Sequence, residues 1–253
     1  AIALHIPLTL MLFGIVLRGT AFVFRSNGSE YDVRQQRWGR VFAIASIVTP
    51  VLLGMCVGAI ATGNIDPAMF TGGFGGSFAD AFIAPWLTTF GFGVGLLALA
   101  LFSFLAAVYL TVEAEGKELQ DDFRARALWA AAAVFVIAFG VLALSMREAP
   151  MVRRALMAGP WALPLQIVTG VAAVTAIGAL FARRFRLARV AAAAQVTFIL
   201  WGWAVAQYPY VLPPSLTIDA AAAPARTLTL TLWALAVGAC VLFPSLYYLF
   251  RIL

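Results

Sequence analysis

Few residues in this chain could do chemistry, and their types restrict what that chemistry is. There is one histidine, His5, and there are two cysteines, Cys56 and Cys240. Imidazole is the common axial donor to haem iron. His5 lies near the start of a long apolar run with no obvious second ligand, which reads as a hydrogen-bonded packing residue. Both cysteines sit inside apolar runs, where neither a disulfide framework nor a cysteine metal site is expected. The segment Gly91-Phe92-Gly93-Val94-Gly95 looks superficially like a phosphate loop, but it follows no strand and lacks the dinucleotide spacing. Small residues at that spacing let helices approach closely in lipid. Gln166, Gln195 and Gln207 are polar positions in apolar runs, suited to bonding across helices or lining a polar path. Arg18 is the most informative residue. It lies seven residues before Arg25 in an otherwise apolar segment, so its guanidinium must snorkel to the interface or find a partner. Its roles narrow to a snorkelling cation, an inter-helix or inter-subunit ion pair, or a contact to a cofactor propionate in a partner.

The elements that must hold these residues follow from composition. Of 253 residues, 63% are hydrophobic and 11% charged, with a mean hydropathy of +0.96. A soluble domain is about 45–50% apolar and about 25% charged. That excess excludes an ordinary cytosolic enzyme, a disordered chain and a nucleic-acid-binding module. It predicts an all-α, polytopic transmembrane bundle. Seven runs are long enough to span: Ile2–Phe24, Val41–Ala61, Phe82–Val112, Ala127–Met146, Trp161–Phe181, Val190–Tyr208 and Leu228–Phe250. Barrel strands would alternate polar and apolar residues, and these runs are apolar all round. Asp and Glu are absent from the run interiors, and with them the groups that ion-coupled transporters generally need. The Glu113–Asp122 segment reads as a solvated turn, and Thr62–Ala81, rich in glycine, as a boundary between two bundles.

The net charge of +6 is distributed by side. Twelve of the 17 basic residues fall in the connections after the first, third, fifth and seventh spans, and four on the other side. This asymmetry predicts the first residue outside and Arg251 in the cytoplasm, with anionic lipid, not nucleic acid, as the partner of the basic face. The chain opens at Ala1, directly into an apolar run and without a signal-peptide lead, which reads as a start within a larger protein.

Two segments carry a family pattern. One is LRGTAFVFR, Leu17 to Arg25; the other is QYPYVLPPSLTI, Gln207 to Ile218, followed by DAAAAPARTL and a last span ending FPSLYYLFRIL. Together with the loop lengths they resemble subunit II of the cytochrome bd-type quinol oxidases over essentially the whole chain. Val23 stands where the commoner family form has an acidic residue. The resemblance implies a subunit of about nine helices, of which these seven match the last. Residues 1–62 would be the remainder of a first bundle, 63–81 an external glycine-rich connection, and 82–253 a second four-helix bundle plus a peripheral helix. It implies a bacterial plasma (inner) membrane complex of the respiratory chain that oxidises quinol and reduces dioxygen to water. Haem b and haem d are then expected in the partner, subunit I. This chain would act as its non-haem scaffold, with a structural quinone and small accessory subunits as further associates. No catalytic residue carries over; Arg18, Arg25 and His5 are the structural or interface candidates. A polytopic transporter and the seven-helix accessory subunit of a haem-copper oxidase are the alternative readings.

Overall fold

A backbone in lipid must satisfy its own hydrogen bonds, and a run of about 20 apolar residues does so as a helix. The computed structural model describes residues 2–26, 33–65 and 76–252, without the side chains of residues 25, 26, 33, 34, 250 and 252. Most of the expected glycine-rich connection, including Asp66, Gly72, Gly73 and Gly75, lies outside the described residues. The long helices are α1 (His5–Ser26), α2 (Val33–Thr62), α4 (Thr89–Glu113), α5 (Lys117–Glu148), α7 (Ala162–Phe181), α8 (Phe185–Gln207) and α10 (Ala225–Ile252). Each contains a segment long and apolar enough to cross a membrane. The seven expected spans are therefore present.

Shorter elements join them. α3 (Phe78–Phe82), α6 (Pro150–Ala158) and α9 (Ile218–Ala221) lie at the end of the molecule opposite the arginine-rich turns, as does an antiparallel pair, β1 (Tyr210–Leu212) and β2 (Leu216–Thr217). Two local expectations change, and one joint is added. The third span does not run unbroken from Phe82, because α3 ends there and α4 starts only after Thr88, whose hydroxyl accepts from Gly91 N–H. The polar stretch read as a turn is mostly helix. Gly116, at φ 91°, turns the chain, and α5 then runs 32 residues, about 48 Å at ~1.5 Å per residue, with its first three turns beyond the apolar core. Asp121–Arg124 and Asp122–Arg126 pairs along that stretch favour helix over turn. Finally, the fourth and fifth spans are joined by α6, started by Pro150 at its first turn.

The largest core lies among α4, α5, α7 and α8. It is built from alanines (Ala100, Ala107, Ala127, Ala176, Ala188 and Ala192 among them) around Phe104, Val108 and Leu180. Small side chains bring backbones close, which is how packing stabilises helices that gain nothing from leaving one apolar phase for another. α2 packs on α1 and α4, and α10 has no buried residue in its span.

Candidate partner-facing surface

Arg18 sits on the α1–α2 seam. Gly14 and Ala21 on the same face are buried, while Arg18 itself is exposed at the rim. Its guanidinium carbon lies 5.5 Å from the centroid of the Phe42 ring, within reach of a cation–π contact. None of the ion pairs among the described residues involves it. Nearly two turns beyond, Phe24 stacks on Trp38 with centroids 4.9 Å apart and planes at 16°. Arg25 ends this stretch, and its side chain lies outside the described residues. Along α2 below Phe42, the buried hydroxyls of Ser46 and Thr49 have no hydrogen-bond partner among the described residues, and a Cβ at Gly14 would overlap the Thr49 hydroxyl. The outward side of α1 is apolar, with Leu12, Phe13, Val16 and Phe22 all more than half exposed. Among its described side chains α10 is exposed all round apart from Ala239, which is half-buried.

His5 stands at the other end of α1. Its Nδ1 lies 2.7 Å from Ile2 O, and its ring meets Phe82 edge-on at 5.0 Å. The sequence offers no second histidine to pair with it, and the described residues contain no group of three or more His, Cys, Asp or Glu placed to hold a metal ion. His5 is therefore far along α1 from Arg18, and the two do not form one site.

Two seams fix the frame that carries this surface. α2 meets α4 through two glycine pairs four residues apart, Gly54 and Gly58 against Gly91 and Gly95. A Cβ at Gly54 would lie 2.6 Å from Gly95 Cα, and one at Gly58 2.8 Å from Gly91 Cα. The second seam is the proline-rich segment after α8. Ile218 N–H donates to Pro209 O at 2.9 Å, closing the β1–β2 turn. Leu212 then buries against Ala3, Leu4, Cys56, Ala59 and Ile65. The segment thus ties the end of α8 to the start of α1 and the end of α2. Gln207 belongs to this tie, its amide donating to Val211 O at 3.3 Å. Gln166 instead donates to Leu156 O at 2.6 Å, holding α7 to α6, and Gln195 is half-buried in α8. The tie was not readable in advance, although its prolines, Pro209, Pro213 and Pro214, signalled a non-helical turn.

At the arginine-rich end, Arg183 pairs with Asp121 at 2.9 Å and Arg189 with Glu113 at 3.1 Å. Arg189 also lies over the Tyr109 ring at 4.3 Å, and Arg124 Nε donates to Leu180 O at 2.8 Å. At the opposite end, Ser77 donates through its backbone and hydroxyl to Asp80 at 3.0 and 2.7 Å. These bonds hold the Asp80 carboxyl below the usual carboxylate range. Near that same end, Trp161, Leu165, Thr197, Phe198, Trp201 and Val205 line an apolar cleft of about 330 Å³ between α7 and α8.

Comparison with known proteins adds two findings. A family model described as cytochrome bd terminal oxidase subunit II matches residues 1–253. Among solved structures, the bd oxidase from Geobacillus thermodenitrificans superposes with a TM-score of 0.74 at 21% identity, covering 98% of this chain and 73% of that chain. No curated protein matches the sequence.

Proposed function

Because the chain belongs to the cytochrome bd terminal oxidase subunit II family, and is thereby a subunit of a respiratory quinol oxidase, we propose that it serves as the scaffold on which the haem-bearing subunit is held. The observation that carries this reading is the family match over the whole chain together with a single histidine in 253 residues. Haem b and haem d belong to the partner in this reading. When bound there, they accept electrons from quinol and deliver them to dioxygen. This chain's own residues contribute packing, a charged rim and a lipid-facing surface.

Arg18 and Arg25 act at the interface. The support is an exposed Arg18 guanidinium that has no acidic partner among the described residues and sits in an apolar rim, a place where a carboxylate or propionate from another subunit would be favoured. His5 has a structural role, anchoring the start of α1 through Ile2 and Phe82. Residues 82–253 form the second bundle with α10 as its peripheral helix, and residues 1–62 belong to a first one. The shared core of α4, α5, α7 and α8 favours this division. The cleft beside Trp161 and Trp201 takes an isoprenoid or acyl tail, because its lining is apolar. The first residue faces outward and Arg251 the cytoplasm, in keeping with the twelve-to-four split of basic residues.

The test is a reduced-minus-oxidised spectrum of whatever co-purifies with the tagged chain in mild detergent. A chlorin band together with b-type haem is the expected result. A haem-free, monodisperse complex overturns the reading.

A further inference from the structure

The arginine-rich end holds a cleft of about 480 Å³ between the α4–α5 turn and the α7–α8 turn, lined by Thr111, Val112, Gln120 and residues 183–187. Four arginines cluster there, and two are neutralised: Arg183 by Asp121 and Arg189 by Glu113. Arg184 and Arg186 are exposed and enter no ion pair among the described residues. The backbone adds to this charge. α7 closes with Arg184 N–H donating to Ala179 O at 2.8 Å, made possible by Arg183 at φ 56°. α8 then starts at once, with no side chain capping it. The N–H groups of Phe185, Arg186 and Leu187 therefore have no acceptor within the helix, and these same residues line the cleft. Positive side chains and the positive end of a 23-residue helix dipole thus share one opening.

The apolar part of the lining selects among anions. Val112, Phe185 and Leu187 lie beside the arginines, at the mouth of two apolar spans, where headgroup meets hydrocarbon. A small free anion would leave those side chains against water. A phosphodiester joined to a glycerol and two acyl chains covers both parts.

We propose that this cleft is a specific site for the phosphate of an anionic phospholipid, held by Arg184, Arg186 and the first turn of α8. It is formed by this chain alone and does not depend on which subunit α1 contacts.

The experiment uses the intact complex in mild detergent, with bound lipid read by native mass spectrometry after incubation with phosphatidylglycerol or with phosphatidylcholine. The wild type should retain phosphatidylglycerol in preference. The double variant Arg184→Gln/Arg186→Gln should bind it about 25-fold more weakly, roughly fivefold for each arginine near an anionic lipid surface. Arg184→Lys/Arg186→Lys should keep most of the binding, and Arg40→Gln, at the same end on α2, all of it. Equal retention of the two lipids, undiminished binding in the glutamine variant, or displacement of the lipid by equimolar inorganic phosphate each overturns the proposal. If the glutamine variant does not assemble, a photoactivatable phosphatidylglycerol on the wild-type complex decides. Label on the peptides lining the cleft supports the site, and label confined elsewhere overturns it.

Discussion

At the scale of the residue, the approach of α2 to α4 depends on Cβ atoms that are missing. Gly54 meets backbone, not a side-chain tip: a Cβ there lies 2.6 Å from both Gly95 Cα and Val94 O. A rotamer change cannot relieve that contact, so the helices must separate. Gly54→Leu is expected to cost about 1–3 kcal/mol and to lower the Tm of the purified complex, whereas Gly140→Ala, which meets nothing within 4 Å, should leave Tm unchanged. The Gly91–Gly95 run was legible as a close-packing element because Gly91 and Gly95 recur about one helical turn apart and so share a face. Its partner pair, Gly54 and Gly58, was not legible as a partner, because nothing in a linear sequence says which helix lies opposite. Arg18 poses a similar problem. Its cost in lipid was plain from its neighbours, but the Phe42 ring under it comes from another helix. Arg18→Leu should lower the haem content of the isolated complex and weaken retention of the haem-bearing subunit, with Arg18→Lys restoring both. Unchanged haem content and assembly in the leucine variant would return Arg18 to the role of a snorkelling cation.

At the scale of the element, helix ends show more than helix middles. Spans were readable from the sequence because apolarity over twenty residues has one solution in lipid. Their joints were not, because joints are stabilised by contacts between distant residues. The N-terminus of α4 takes a cap from the far end of α5, Phe90 N–H donating to Glu148 Oε2 at 3.1 Å, across 58 positions of sequence. Glu148→Ala should cost about 0.5–2 kcal/mol and speed amide exchange at Phe90 and its neighbours, with Gln in its place recovering part of the loss. The joint before α3 carries a pH dependence. The Asp80 carboxyl is held low by Ser77, so the capping box contributes its full stability above the ordinary aspartate pKa and loses it as pH falls through the lower folded value. Amide exchange at Ala79–Ala81 should therefore accelerate only at strongly acidic pH in the wild type, while Asp80→Asn should exchange faster at neutral pH as well. The β1–β2 turn shows the same limit on sequence reading: Pro209, Pro213 and Pro214 mark a break, but only the burial of Leu212 against α1 and α2 residues explains what the break is for.

At the scale of the molecule, charge and apolarity are divided along one axis. At one end the connections and the helix ends beside them carry most of the basic residues, and the connections at the other end hold the short elements α3, α6, the β1–β2 pair and α9. The basic end is braced by ion pairs between the α4–α5 and α7–α8 turns, which are exposed and so contribute little to stability individually. Their charge matters more for placement, since translocating a short basic loop is disfavoured during insertion. The expected orientation rests on a rule that acts on counts in sequence and needs no tertiary contact. It also yields a test that does not depend on any partner. Glu115, in the α4–α5 turn, and Ala222, just after α9, are both exposed and lie at opposite ends. Of the native thiols, Cys56 is buried and Cys240 exposed, so Cys240→Ser removes the background. In intact cells a membrane-impermeant maleimide should then label Ala222→Cys at once. Glu115→Cys should react only after the membrane is permeabilised. The opposite order of labelling would invert the molecule, place the arginines outside, and remove the topological explanation for the twelve-to-four split. Labelling of both positions in intact cells would mean that the α4–α5 turn is reached from the outer side as well, and the assignment of Arg251 to the cytoplasm would fall with it.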